Sequence, residues 1–262
     1  MTPYDFRDGE SPLLVSIPHA GLALTDAVAN GLTDIGATLG DTDWHVPRLY
    51  AFVDALGASV IEARYSRYVV DLNRPRDDVP LYAGATTGLF PTVSFDGEPL
   101  FRSGREPSVA ERTRYLEEIW DPYHARIGAA LEELRDRHGY ALLFDAHTIR
   151  SVVPRLFDGC LPDLNVGTAD GASCAPSLQA AVQGVCEEAA DYSAVANGRF
   201  KGGWITRRFG APAENVHAVQ LELAQCTYMD EAPPFTYRPE RAARIQPVLR
   251  RVVETLLEWR PE

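Results

Sequence analysis

The sequence predicts an α/β protein of three layers, α/β/α, around a mixed, largely parallel sheet. Two observations carry this. Residues 141–148 read Ala-Leu-Leu-Phe-Asp-Ala-His-Thr, and four apolar residues in succession mark a strand covered on both faces. That run follows directly on a long helical segment closed by Gly139, which is the helix-to-strand rhythm of a parallel sheet.

Taken in order, Leu13–Ile17 is a short β-type run that breaks at Pro18 and presents His19 on a tight loop. Residues 22–40 read as an irregular amphipathic helix punctuated by Gly31, Gly36 and Gly40. Asp41 or Thr42 can cap a helix through Val46, Leu49, Tyr50, Phe52 and Val53, with Pro47 in its first turn. Residues 58–63 and 68–70 are β-type runs, the second leading into Asp71-Leu72-Asn73-Arg74-Pro75. Residues 76–108 lack periodicity, and Tyr82, Phe90, Phe95 and Phe101 predict an ordered loop packed on the body.

Residues 108–138 form the clearest helix, opened by a Ser108/Glu111 capping box and kinked or divided at Pro122. Beyond the central strand come a loop with a short strand at 164–168, a helix over 176–191 and a basic, Gly-rich loop over 198–210. A strand over 216–223 and a final helix over 239–259 complete the chain. No repeat or linker divides it, so a single domain over 1–262 is expected.

Apolar residues make up 45% of the chain, enough for a large core, and the net charge of −12 argues against a nucleic-acid partner. An anionic small molecule remains compatible, because a few arginines can dominate one pocket. Cys160, Cys174, Cys186 and Cys226 contain no C-x-x-C spacing, which excludes a cysteine zinc module. The first residues hold no basic segment followed by an apolar run, and no stretch approaches the ~18 apolar residues of a membrane span, so a cytoplasmic protein is expected.

Strand ends in a parallel sheet are where ligands bind. Strand or loop ends offer His19, an aspartate at 41 or 43, and His147. Two imidazoles and one carboxylate form the ligand set of a catalytic zinc site. His45 and His217 compete for the histidine positions. Asp145, two residues before His147 and on the same side of the strand, is placed to orient it. Glu222 lies between Leu221 and Leu223, where a carboxylate is costly unless paired with arginine or used as a general base. Arg64, Arg67, Asn73 and Arg74 concentrate around one segment, which suggests a pocket for carboxylates; pairing with Asp71, Asp77 and Asp78 at the surface is the alternative. Arg150, Lys201, Arg207 and Arg208 are further candidates for an anionic contact.

Six stretches match one known family. They are Ser16-Ile17-Pro18-His19-Ala20-Gly21, Asp41-Thr42-Asp43-Trp44-His45-Val46, the run Tyr65 through Pro75, Asp145-Ala146-His147, Asn197 through Gly203, and Gln220-Leu221-Glu222-Leu223 with Tyr228-Met229-Asp230-Glu231. On these the chain resembles the N-formylglutamate amidohydrolases of histidine degradation, which in turn are similar to the zinc carboxypeptidase and aspartoacylase group. The resemblance implies a zinc-carboxypeptidase-like fold and metal-dependent hydrolysis of N-formyl-L-glutamate to L-glutamate and formate. It implies Zn2+, or another divalent metal, held by His19 and His147, with Glu222 as the general base. It implies Arg67, Asn73 and Arg74 as the substrate's carboxylate site, with Arg67 also near the developing oxyanion; Arg150, Lys201 and Arg207 stand beside them as candidates. The related enzymes place a Glu three residues after the first His, where this chain has Leu22, so Asp43 is the implied acidic ligand and Asp41 its alternative. Two other readings are an amidohydrolase for a different N-acyl acidic amino acid and a metal-free binding protein for acidic amino acids.

Overall fold

A computed structural model describes residues 2–81 and 86–261. Its strands are β1 (Tyr4–Arg7), β2 (Leu13–Ile17), β3 (Ser59–Ala63), β4 (Ala141–Ile149), β5 (Leu164–Gly167), β6 (Ala194–Ala196) and β7 (Val216–Ala224). The helices are α1 (Asp26–Gly31), α2 (Asp34–Ala37), α3 (Val46–Leu49), α4 (Val109–Tyr115), α5 (Asp121–His138), α6 (Pro176–Glu188), α7 (Trp204–Phe209) and α8 (Pro239–Glu258). The sheet runs in the order β1-β3-β2-β4-β7-β5-β6. β3, β2, β4 and β7 are mutually parallel, β1 pairs antiparallel to β3 and β5 antiparallel to β7, and β6 is parallel to β5. The expected mixed, largely parallel sheet is therefore present.

All nine residues of β4 are buried, because alternate side chains enter separate cores. Leu142, Phe144 and Ala146 pack with Leu178 and Val182 of α6 and with Ile245, Leu249 and Val252 of α8. Ala141 and Leu143 face Tyr123, Ile127 and Leu131 of α5, together with Val28 of α1 and Ile205 of α7. Each fully buried aliphatic or aromatic side chain contributes about 1.5–3 kcal/mol, and the two cores lock the period-2 register of the central strands.

Several expected elements take a different form. Residues 22–40 form two short helices instead of one, capped by Thr25 and Thr33, whose side chains accept from Val28 N–H and Gly36 N–H. The helix after residue 43 is short. His45 adopts a left-handed φ of 64° at its start, and a tighter helical turn follows over Ala51–Leu56. Neither Asp41 nor Thr42 caps it; Asp41 accepts from Phe95 N–H at 2.9 Å. Residues 68–70 are a buried turn and not a strand: Val69 N–H donates to Ser66 O at 2.9 Å. Apolar periodicity cannot separate a buried β-branched turn from a strand.

The Ser108/Glu111 capping box is formed, and Gly139 ends α5 at φ 83°. The run is divided next to Pro122, which stands in the first turn of α5. One wide turn over Leu116–Trp120 joins α4 to α5, with Asp121 N–H donating to Leu116 O. Proline has no N–H and would collide with the carbonyl four residues back, and a wide turn moves that carbonyl aside. In the 76–108 loop, Phe95 and Phe101 are buried and Phe90 packs against the α5-side core, as expected; Tyr82 lies outside the described residues. The basic loop over 198–210 contains helix α7, and the short strands β1 and β6 carry too few residues to register as a period.

Candidate metal centre and active site

The parallel register of β2, β4 and β7 assembles the site. β4 pairs with β7 so that Asp145 lies opposite Gln220 and His147 opposite Glu222. Residues i and i+2 share one side of a strand, so these four side chains emerge together toward the α5 side. β2 ends beside them and delivers His19. The loop after α2 is tied in by Asp43 N–H, which donates to His19 O at 3.1 Å.

His19, Asp43 and His147 form a buried group whose donor atoms lie within 4.8 Å of one another. Asp43 Oδ2 is 3.1 Å from His147 Nδ1 and 3.8 Å from His19 Nδ1. The Nε2 atoms are held from behind. That of His19 meets Asp71 Oδ1 at 2.8 Å, and that of His147 meets Asp145 Oδ2 at 3.0 Å. Both Nδ1 atoms therefore converge on one carboxylate while both Nε2 atoms are anchored to others. Asn73 adds its amide 2.9 Å from His147 Nε2, with its Oδ1 accepting from Ile205 N–H at 2.8 Å.

The charges are strongly coupled. Burial pushes the His19 imidazole pKa down, and the Arg67 guanidinium adds to this, so His19 is neutral and offers a lone pair. Burial also disfavours charge on His147, but Asp145 and Asp43 outweigh it and hold its pKa well above the usual histidine range. Burial would raise Asp71, yet Arg67 and His19 hold it well below the usual carboxylate range; Arg67 Nη2 donates to Asp71 Oδ2 at 2.6 Å. Glu222 is pushed up to about 8, first by burial, with His147 opposing and Asp43 reinforcing. Gln220 grips it: its Oε1 accepts from Gly203 N–H at 2.7 Å while its Nε2 donates to Glu222 Oε2 at 3.2 Å.

This donor set fits a divalent cation. Two convergent imidazole nitrogens and one carboxylate are the ligands of an open catalytic zinc site. A cation there would replace the proton His147 shares with Asp43 and would favour the ionised form of Glu222. Asp41, the alternative acidic residue, stands apart in a bond to Phe95.

A cleft opens over the group. Its walls include Arg67, Asn73, Arg74 and Glu222, and also Thr86, Thr87, Ile149, Leu156, Arg199, Phe200 and Gln220. Arg74 Nη2 donates to Thr86 Oγ1 at 2.9 Å and Thr87 Oγ1 at 3.2 Å. Three other expected carboxylate contacts lie elsewhere. Arg150 bonds Asp96 at 2.8 Å, Lys201 pairs with Asp170 at 3.0 Å, and Arg207 Nε donates to Gly202 O at 2.9 Å. None of the three lines the cleft. Arg64 pairs with Asp5 at the surface, and Arg208 lies over Phe209. Of the competing histidines, His45 Nε2 contacts Phe235 O at 2.7 Å and His217 Nδ1 accepts from Ala175 N–H at 3.1 Å. Asp71 is no surface ion pair but a buried brace for His19 and Arg67. Asp71, Gln220 and Arg199 were not singled out for the site by sequence; all three sit inside the six matching stretches, which was the signal available.

Fold and cleft together define a class: a three-layer α/β protein with a candidate divalent-metal centre and an arginine-lined cleft at the carboxyl edge of its parallel strands. The chain belongs to the N-formylglutamate amidohydrolase family, whose model matches residues 11–229. It is 60% identical over 257 residues to an N-formylglutamate deformylase of Pseudomonas putida, spanning 98% of this chain and 96% of that one. It is 59% identical over 254 residues to an N-formylglutamate deformylase of Pseudomonas aeruginosa, with 97% and 96% covered. Among solved structures, an N-formylglutamate amidohydrolase from Ralstonia eutropha JMP134 superposes with a TM-score of 0.81 at 23% identity, covering 98% of each chain. A gene product of Agrobacterium tumefaciens superposes at 0.74 with 18% identity, covering 97% of this chain and 94% of that one. These two likenesses concern the fold.

Proposed function

We propose that this chain hydrolyses N-formyl-L-glutamate to L-glutamate and formate, with a divalent cation, expected to be zinc, held by His19, Asp43 and His147. The observation that carries the reading is one cleft combining that donor group, Glu222 at the register position opposite His147, and the guanidinium groups of Arg67 and Arg74. The names of the Pseudomonas relatives supply the substrate.

A cation at this position supplies a Lewis acid that makes water nucleophilic near neutral pH and polarises an amide carbonyl. Glu222 then takes one proton from the water as its oxygen bonds to the formyl carbon. As the C–N bond breaks, Glu222 returns that proton to the leaving nitrogen, giving formic acid and the amine, and the acid's proton then passes to the amine to leave formate and the ammonium form of glutamate. Gln220 holds Glu222 at the angle this needs. Arg67, braced by Asp71, places fixed positive charge beside the carbonyl oxygen, where charge develops. Asn73 and Arg74 receive the substrate's α-carboxylate. We further propose a cytoplasmic enzyme of histidine degradation in which residues 1–262 form a single domain.

Turnover of N-formyl-, N-acetyl- and N-succinyl-glutamate by the purified protein tests the substrate. The formyl compound is expected to exceed the other two in kcat/KM; preference for a larger acyl group would move the activity to another N-acyl amino acid.

A further inference from the structure

The proposed substrate carries two carboxylates, one separated from the amide nitrogen by a single carbon and one by three. The cleft is lined by three arginines, Arg67, Arg74 and Arg199, carried by two separate segments of the chain. Arg74 follows Asn73, whose amide is 2.9 Å from His147 Nε2, and its own Nη2 donates to Thr86 and Thr87 in the cleft wall. Arg199 enters from the loop after β6. Its Nε donates to Leu156 O at 2.7 Å, and its guanidinium lies 5.4 Å from the centre of the Phe200 ring. Leu156 and Phe200 also line the cleft, and both pack on a separate apolar cluster with Ile149 and Val153. This wall therefore combines apolar cover with a cation, which matches two methylene groups ending in a carboxylate. Arg67 is engaged with Asp71 at 2.6 Å.

We propose that Arg199 binds the side-chain carboxylate of the N-formyl amino acid and sets the preference for an acidic side chain, with Leu156 and Phe200 covering the methylenes. The assignment rests on the function proposed above. A guanidinium–carboxylate contact is charge-assisted and directional, and losing a hydrogen bond to a charged group costs enough to be read as roughly 10- to 100-fold in rate.

The test compares N-formylglutamate with N-formylglutamine, which keeps the α-carboxylate and replaces only the distal one by an amide. Arg199→Met is expected to lower kcat/KM for N-formylglutamate about 10- to 100-fold while changing that for N-formylglutamine by less than about 3-fold. Arg199→Lys keeps the charge and should fall between wild type and Arg199→Met on the acidic substrate; it also provides the comparison if the methionine variant fails to fold, as a thermal melt would report. Equal losses on both substrates would assign Arg199 to the α-carboxylate, and no loss on either would remove it from the site; each result overturns the proposal. Wild-type protein inactive on both substrates would instead remove the underlying function.

Discussion

Asp71 Oδ1 lies 2.8 Å from His19 Nε2, and this contact turns the other ring nitrogen of His19 toward Asp43. The carboxylate thereby fixes which nitrogen carries the proton and which keeps its lone pair. Asp71→Asn keeps the shape and removes the charge. It is expected to weaken divalent-cation binding about 10- to 100-fold, measured by competition against a chromophoric chelator. Wild-type affinity in that variant would show that His19 needs no such orientation.

Glu222 is assigned to proton transfer and not to holding the ion. Glu222→Gln should therefore bind metal as wild type does while kcat falls about 10²- to 10⁴-fold. Metal content and steady-state turnover on the same preparation separate the two roles. A variant that loses metal together with activity would make Glu222 a ligand.

Gly203 has no side chain for a reason the site supplies. A Cβ there would lie 2.2 Å from Asn73 Nδ2, so Gly203→Ala must displace the Asn73 amide from His147. Backbone N–H of Gly203 also holds Gln220. Activity should drop by at least about tenfold, on the scale of losing one oriented hydrogen bond to a charged group, with the fold retained by circular dichroism. Unchanged kcat/KM would show that Asn73 position is not critical.

His124 is buried between Trp120 and Phe209, and its Nδ1–H donates to Trp120 O at 2.9 Å. Burial lowers its pKa to about 4. The unfolded chain takes up a proton near pH 6.5, the folded chain only near 4, so stability is lost as pH falls through this window. The full contribution is about 3 kcal/mol. Urea unfolding of wild type and His124→Gln between pH 4 and 7 should show a steeper decline for wild type; parallel curves would contradict a neutral buried His124.

Much of this was legible because the chemistry sits where strands end. The apolar run of β4 and the alternation of β7 expose His147 and Glu222 as polar exceptions in buried strands, and Pro18 marks where β2 stops before His19. What periodicity could not supply was the register that sets His147 against Glu222, since a two-residue slip leaves the pattern unchanged. Charge type was a poor guide to position: Arg74 and Arg150 look alike in sequence, yet one faces the cleft and the other meets Asp96. Surface pairing of Asp71 with arginine is the alternative that sequence alone leaves open, because adjacent Arg and Asp residues are usually solvated; its burial depends on the turn at 68–70, whose β-branched residues imitate a strand. The division expected at Pro122 takes the form of a wide turn just before it, with Pro122 in the first turn of α5.

The central claim is that one divalent-metal centre at His19, Asp43 and His147 supports removal of the formyl group. It is tested most directly by formate release from N-formyl-L-glutamate before and after exhaustive chelation, and again after adding back zinc. The account predicts activity that chelation abolishes and zinc restores, with neither metal uptake nor recovery in His147→Ala. Full turnover in chelated, metal-free protein would contradict it.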